Sequence, residues 1–219
     1  MGFFEDGLKD APKGRSKSNF GKVSVAIQGF GNVGMHLARI LHENNFKVIA
    51  VSDSKGELYD SLGLNIPKLL DKNSWYDRNI SNEDMLGVEA DIFVPAAIEG
   101  SINKENARNV KAKIILEMAN GGIAKDTYEI LDKSGVMVIP DILANGGGVA
   151  GSYVEWISNK ENKNYGEEKE FKMIEDFMAI ASKKVWMRKE KMNTDLRTAA
   201  YIFSLERLEK EIKSKILNK

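Results

Sequence analysis

Apolar and polar positions along this chain follow two alternating rhythms. Short runs rich in Val and Ile occupy residues 23–27, 48–52, 92–94, 114–116 and 136–139. They are too short for helices and too continuously apolar for strands with a wet face, so they read as strands buried on both sides. Between them the apolar residues recur at helical spacing, as Val33, Leu37, Ile40 and Leu41 do. The spacing predicts helices near 33–43, 101–109 and 125–134. Strands alternating with helices imply a parallel sheet covered on both faces. Residues 54–90 contain Gly56, Gly63, Pro67 and Gly87 and read as loops and short helices, with Ser81-Asn-Glu-Asp84 as a helix start.

The rhythm changes near Asn145. Asn145-Gly-Gly-Gly148 interrupts it, residues 153–157 are aromatic, and 159–170 are strongly charged around Gly166. Phe171, Ile174, Met178 and Ala181 then mark one amphipathic helix. A second, carrying Leu196, Ala199, Ala200 and Phe203, begins at an Asn193-Thr194 cap. The fold class expected is α/β, a doubly wound parallel sheet with two C-terminal helices. Its parts are a polar leading segment (1–21), a sheet domain (22–158) and helices (159–219) packing back on it.

Composition narrows the chemistry. Lys plus Arg and Asp plus Glu both number 32, so no net field draws the chain to nucleic acid or an anionic membrane. Lys13, Arg15, Lys17 and Lys22 are interleaved with Gly and Ser and read as a solvated linker. With no cysteine there is no disulfide framework, thiolate nucleophile or cysteine-bound metal. His36 and His42 lie six apart on one predicted helix, a spacing that suits no metal pair. The first residues lack a basic start and an apolar core, and no run is long enough to span a bilayer. A cytoplasmic location is expected.

The strongest local signal is Gly29-Phe-Gly-Asn-Val-Gly34, placed where the first strand turns into the first helix. Gly29 permits a tight turn, Gly31 lets backbone approach a pyrophosphate, and Gly34 lets helix pack on sheet. The helix N-terminus adds unpaired N–H groups and a positive dipole end. Asp53 ends the second strand 19 residues past Gly34, close to the spacing of about 20 for a carboxylate on a ribose 2′-hydroxyl. Residues 29–34, Phe30, Asn32 and Val33 included, are therefore read as a dinucleotide loop. The carboxylate favours NAD, whereas the neighbouring Ser54 and Lys55 could accommodate the 2′-phosphate of NADP.

Ligands of open parallel sheets bind beyond the carboxyl ends of the strands. The segments there are Val94-Pro-Ala-Ala97, whose small Ala96 and Ala97 leave room for a flat ring or ribose, then Glu117-Met-Ala-Asn-Gly-Gly122 and Pro140-Asp-Ile-Leu-Ala-Asn145. The last two present the amides of Asn120 and Asn145, and Ser152 follows a triple glycine. Each has a plainer reading: left-handed turns for the asparagines, a helix cap for Ser152, buried structural carboxylates for Glu117 and Asp141. No acid–base pair or glycine-framed lysine is evident, so no catalytic residue is assigned.

Taken together, these motifs resemble the C-terminal domain of glutamate dehydrogenases, within the Glu/Leu/Phe/Val dehydrogenase family. The resemblance runs through Ala-Ile-Gln-Gly-Phe-Gly-Asn-Val-Gly (26–34), Val-Ser-Asp-Ser-Lys-Gly (51–56), Val-Pro-Ala-Ala-Ile-Glu-Gly (94–100) and Pro-Asp-Ile-Leu-Ala-Asn (140–145). Gly-Gly-Val-Ala-Gly-Ser-Tyr-Val-Glu-Trp (147–156) and Asp-Leu-Arg-Thr-Ala-Ala-Tyr (195–201) extend it over roughly residues 20–210. Ala-Asn-Gly (119–121) and Ser-Tyr-Val-Glu-Trp (152–156) look glutamate-type rather than leucine- or phenylalanine-type. The resemblance implies that Asn32 and the glycine loop contact the cofactor and that Asp53 and Ser54 surround the adenosine ribose. It places Ala96, Ala97, Asn120 and Asn145 at the nicotinamide end, and Ser152 on the distal carboxylate of glutamate.

Three departures stand out. The family's Glu-Gly-Ala-Asn-Gly-Pro carries Met118 and Gly122 here, and its aromatic segment after Glu-Trp is reduced to Tyr165-Gly166. The N-terminal substrate domain is absent, and with it the family's catalytic lysine and aspartate and most oligomer contacts. The expected function is the NAD(P)-binding domain of an enzyme that deaminates L-glutamate oxidatively to 2-oxoglutarate and ammonia. The full enzyme is expected to be a homo-oligomer, and the chain alone inactive. The alternative is a stand-alone nucleotide-binding regulatory module without catalysis.

Overall fold

The computed structural model describes residues 22–71 and 85–217. The expected leading segment and the helix start at 81–84 lie outside the described residues. Two compact units divide at Asp141 and Ile142.

The first unit is built on a six-stranded sheet: β1 (Ser24–Gln28), β2 (Lys47–Asp53), β3 (Gly56–Tyr59), β4 (Ile92–Pro95), β5 (Ile114–Leu116) and β6 (Met137–Ile139). Their order is β3-β2-β1-β4-β5-β6. All pairs but one are parallel, as the alternation of strands and helices requires. Along β1, Val25 and Ile27 enter one buried cluster with Val48, Val51 and Val94, while Ala26 enters another with Ile49, Phe93 and Ile115. Both faces are thus dry.

The exception is β3, which lies within the stretch 54–90 expected to hold loops and short helices. It runs antiparallel to β2, with Asp53 opposite Gly56 and Ser52 opposite Glu57. Only Ser54 and Lys55 separate the partners, too short a link for a parallel crossover, so a hairpin is the only pairing available. The sheet is mostly parallel with one antiparallel edge.

Helix α1 (Asn32–Glu43) follows β1 as expected. The helix expected over 101–109 shrinks to one 3-10 turn, Ala107–Asn109. Asparagine side chains explain this. Asn103 accepts from the Glu105 amide at 3.0 Å, and Asn106 accepts from the Asn103 amide and donates to the Ser101 carbonyl, both at 2.8 Å. These bonds offer the backbone an alternative to a helix. Short α2 (Ile66–Leu70) and α3 (Tyr128–Lys133) complete the unit.

At the amino end of the sheet, Asp91 joins three strands. It accepts from the amide and hydroxyl of Ser24 at 3.0 and 2.9 Å and from Lys113 Nζ at 2.9 Å. The Ser24 amide foremost, then Lys113 and the Ser24 hydroxyl, hold its carboxyl down at about 2.

The second unit is helical: α4 (Asp141–Ala144) leads into it, followed by α5 (Gly146–Glu161), α6 (Glu167–Met192) and α7 (Leu196–Leu217). The last two are the pair expected. Helix α5 is an addition, because Gly146-Gly-Gly148, read as an interruption, forms its first turn. A side chain at Gly146 would press on Met178 Sδ at 3.2 Å, so the glycine lets α5 start close against α6. The stretch up to residue 158 consequently goes with the helices rather than with the sheet. Ala150, Val154 and Phe177 form the apolar seam between α5 and α6, and Tyr153 meets Phe177 edge to face. Helix α7 is capped by Asp195, one residue past the expected cap, whose carboxylate accepts from the Thr198 amide at 2.9 Å. Among the described residues, no helix is long and apolar enough to cross a membrane.

Candidate functional site

The neighbours of β1 in the sheet, β2 and β4, leave it in opposite directions in chain order, which creates a switch point beside the carboxyl end of β1. Gln28 aligns there with Ser52 of β2 and Pro95 of β4. Loops after β1, β2, β4 and β5 gather at this end.

The glycine loop divides its work among three positions. Gly29 has φ +102°, a conformation that favours glycine, and its amide donates to the Ser52 carbonyl at 3.0 Å. A Cβ there would also strike Ala97 Cβ at 2.8 Å and the Ala96 carbonyl carbon at 2.9 Å. At Gly34 a Cβ would lie 1.9 Å from the Gly29 carbonyl oxygen. Gly31 is different: nothing stands within 4 Å of where its Cβ would be. It is exposed, directly before the first turn of α1. The cradle is closed behind and open in front.

Of the other loop residues, Asn32 and Val33 are exposed, whereas the Phe30 side chain is buried in the core with Ile27 and Ala38. Phe30 therefore offers the site its backbone. Asp53 is half-buried at the head of the β2–β3 hairpin, with Oδ1 accepting the Lys55 amide at 2.7 Å. Ser54 is exposed in the same turn. The Ala96 amide donates to the Gln28 carbonyl at 2.8 Å, which draws the segment after β4 against the glycine loop. Ala97 lies exposed beside it.

Asn120 is exposed in the turn after β5. The amides of Met118 and Ala119 donate to the Pro95 carbonyl at 3.1 and 2.8 Å. The Gly121 carbonyl accepts from the Gly100 amide at 2.8 Å, so the loops after β4 and β5 are stitched together. Glu117 is fully buried and accepts from the Ile123 amide, the Tyr128 hydroxyl and the Asp141 amide at 2.9, 2.8 and 2.9 Å. Asp141 accepts from the Gly121 amide at 2.8 Å. Both carboxylates are bound to backbone, the structural reading of these residues.

The site residues of the sheet unit thus meet at one edge: 29–34, Asp53, Ser54, Ala96, Ala97 and Asn120. The remaining two lie in the helical unit. Asn145 directly precedes α5, and Ser152 is exposed within α5, neither in a loop nor at a cap. Two features went unassigned in the sequence. The Gln28 carboxamide oxygen is buried without a hydrogen-bond partner among the described residues, at the very end of β1. The hairpin that presents Ser54 and Lys55 was the other, although the turn-forming residues of Asp53-Ser-Lys-Gly56 were its available signal.

Comparison with known proteins gives a consistent result. Residues 8–215 match the family described as Glutamate/Leucine/Phenylalanine/Valine dehydrogenase. An NADP-specific glutamate dehydrogenase of Saccharolobus shibatae is 41% identical over 201 residues, 87% of this chain and 48% of the relative. A cryptic catabolic NAD-specific glutamate dehydrogenase of Bacillus subtilis is 36% identical, over 92% of this chain and 48% of the relative. The crystal structure of a hetero-hexameric glutamate dehydrogenase from Thermus thermophilus superposes with a TM-score of 0.81 at 31% identity, covering 90% of this chain and 48% of that one. The chain spans about half the length of the relatives it matches.

Proposed function

This chain belongs to the Glutamate/Leucine/Phenylalanine/Valine dehydrogenase family, and from that premise we propose that it is the C-terminal, dinucleotide-binding part of a glutamate dehydrogenase. The reading rests above all on the glycine cradle: Gly29 and Gly34 are closed by backbone and Ala97, while Gly31 is open beside a helix N-terminus. That is the shape a pyrophosphate needs, with N–H donors and a positive dipole end facing it. Asp53 would hold the adenosine ribose, with Ser54 beside it. Ala96, Ala97, Asn120 and Asn145 would flank the nicotinamide, which when bound supplies the hydride acceptor. Ser152 would offer its hydroxyl to the distal carboxylate of glutamate.

NAD is the expected cofactor and NADP the second option; relatives of both specificities support this breadth. The reaction of the whole protein is oxidative deamination of L-glutamate to 2-oxoglutarate and ammonia. Its catalytic lysine and aspartate belong to the half that this chain does not span, and the whole protein assembles as a homo-oligomer. Calorimetric titration of the purified chain with NAD and with NADP tests the core of the reading. Saturable binding at or below millimolar concentration is expected. Absence of binding by both at that concentration rejects it.

A further inference from the structure

Resting on the dinucleotide reading, we propose that Glu117 and Asp141 are positioning residues that hold the turn 118–122 in shape for the nicotinamide end of the cofactor. A carboxylate removed entirely from water is expensive unless strongly hydrogen-bonded. Glu117 is at 0% exposure, and its bonds to Ile123, Tyr128 and Asp141 surround one turn. Oε1 holds the Ile123 amide on the far side of the turn, and Oε2 holds both the Tyr128 hydroxyl and the Asp141 amide. Asp141, oriented through its own amide, returns a carboxylate oxygen to the Gly121 amide.

The turn is anchored at both ends. Gly121 has φ +61°, and its first half is fastened to β4 through the Pro95 carbonyl. The carboxylates fasten its second half, leaving Asn120 exposed between the two anchorages. A polar group held in one place before a ligand arrives binds without an ordering cost. The brace acts through Asn120 and touches neither ribose nor pyrophosphate, which are served by Asp53 and the glycine loop. Its loss should therefore be felt at only one end of the ligand.

The experiment compares NADH with ADP-ribose, which lacks the nicotinamide, in calorimetric titrations of the full chain. Asp141→Asn and Glu117→Gln should each weaken NADH about fivefold, the value of one ordinary hydrogen bond, and leave ADP-ribose unchanged. Asn120→Ala should show the same selective loss, and combining it with Asp141→Asn should add little further, because the pair acts as a unit. Asp141 is half-buried and carries the test if Glu117→Gln fails to fold. Equal loss of both ligands would mark a merely structural role and overturn the proposal, as would NADH binding no tighter than ADP-ribose in the unmodified chain. Failure of ADP-ribose to bind the unmodified chain would instead defeat the dinucleotide reading itself, and the proposal with it.

Discussion

A methyl group added at Gly34 would lie 1.9 Å from a backbone oxygen, whereas one added at Gly31 would meet nothing within 4 Å. The two substitutions should therefore fail in different ways. Gly34→Ala must push α1 from the sheet and is expected to cost about 1–3 kcal/mol of stability, as overpacking does. Gly31→Val should unfold at the same temperature as the unmodified chain yet lose dinucleotide binding. Thermal unfolding followed by calorimetric titration separates the two. On the proposed reading, cofactor choice turns on another residue. Asp53 can accept from a 2′-hydroxyl and repels a 2′-phosphate, at a cost on the order of 1 kcal/mol in a partly solvated site. Asp53→Ser should narrow or reverse a several-fold preference for NAD in paired titrations. Tighter NADP binding by the unmodified chain would mean that Ser54 and Lys55 govern the pocket instead.

Among the elements, Asp91 ties the amino ends of β1, β4 and β5 and makes part of the stability sensitive to acid. Its folded value, about 2, lies below the ordinary 3.8. The contribution is complete above about pH 4 and is lost as pH falls from there toward 2. The pair is partly wet, with Lys113 80% and Asp91 34% exposed, so about 1 kcal/mol is at stake. Asp91→Asn should lower stability near neutrality by that amount and flatten the acid limb of a denaturation series. Helix α7 offers a simpler case: Asp195→Ala removes its cap and should cost about 1 kcal/mol in chemical denaturation. Five strands were legible because their short runs are continuously apolar, and α1 because its apolar residues recur at helical spacing just after the glycine loop. The lost helix at 101–109 was not, since apolar spacing says nothing about where Asn103 and Asn106 direct their amides. Helix α5 was hidden by Gly146-Gly-Gly148, whose flexibility reads as a break although Met178 rewards small residues there.

For the whole molecule, the chain alone should not oxidise glutamate. On the proposed reading, hydride transfer needs substrate and cofactor held in register across both halves of the relatives' length, and an effective molarity worth several kcal/mol would be missing from this half alone. Purified chain with NAD and glutamate should turn over far more slowly than about 1 per second, the lower range for enzymes. Adding the remaining half of a family member as a separate polypeptide should raise the rate. The placement of Gly29, Gly31, Gly34 and Asp53 at the carboxyl end of the sheet could be read in advance, because it depends on local order along the chain. The brace behind Asn120 could not, since it joins Glu117, Tyr128 and Asp141 across three elements.

The hairpin between β2 and β3 bears on how cofactor preference can evolve. Asp53 and Gly56 face each other in the ladder, so Ser54 and Lys55 lie outside it and are exposed. Mutation can rewrite those two positions while the sheet keeps its register and its core. On the proposed reading, substitutions at Ser54 and Lys55 would thus tune the preference that Asp53 sets between the two nicotinamide cofactors, without passing through an unstable intermediate.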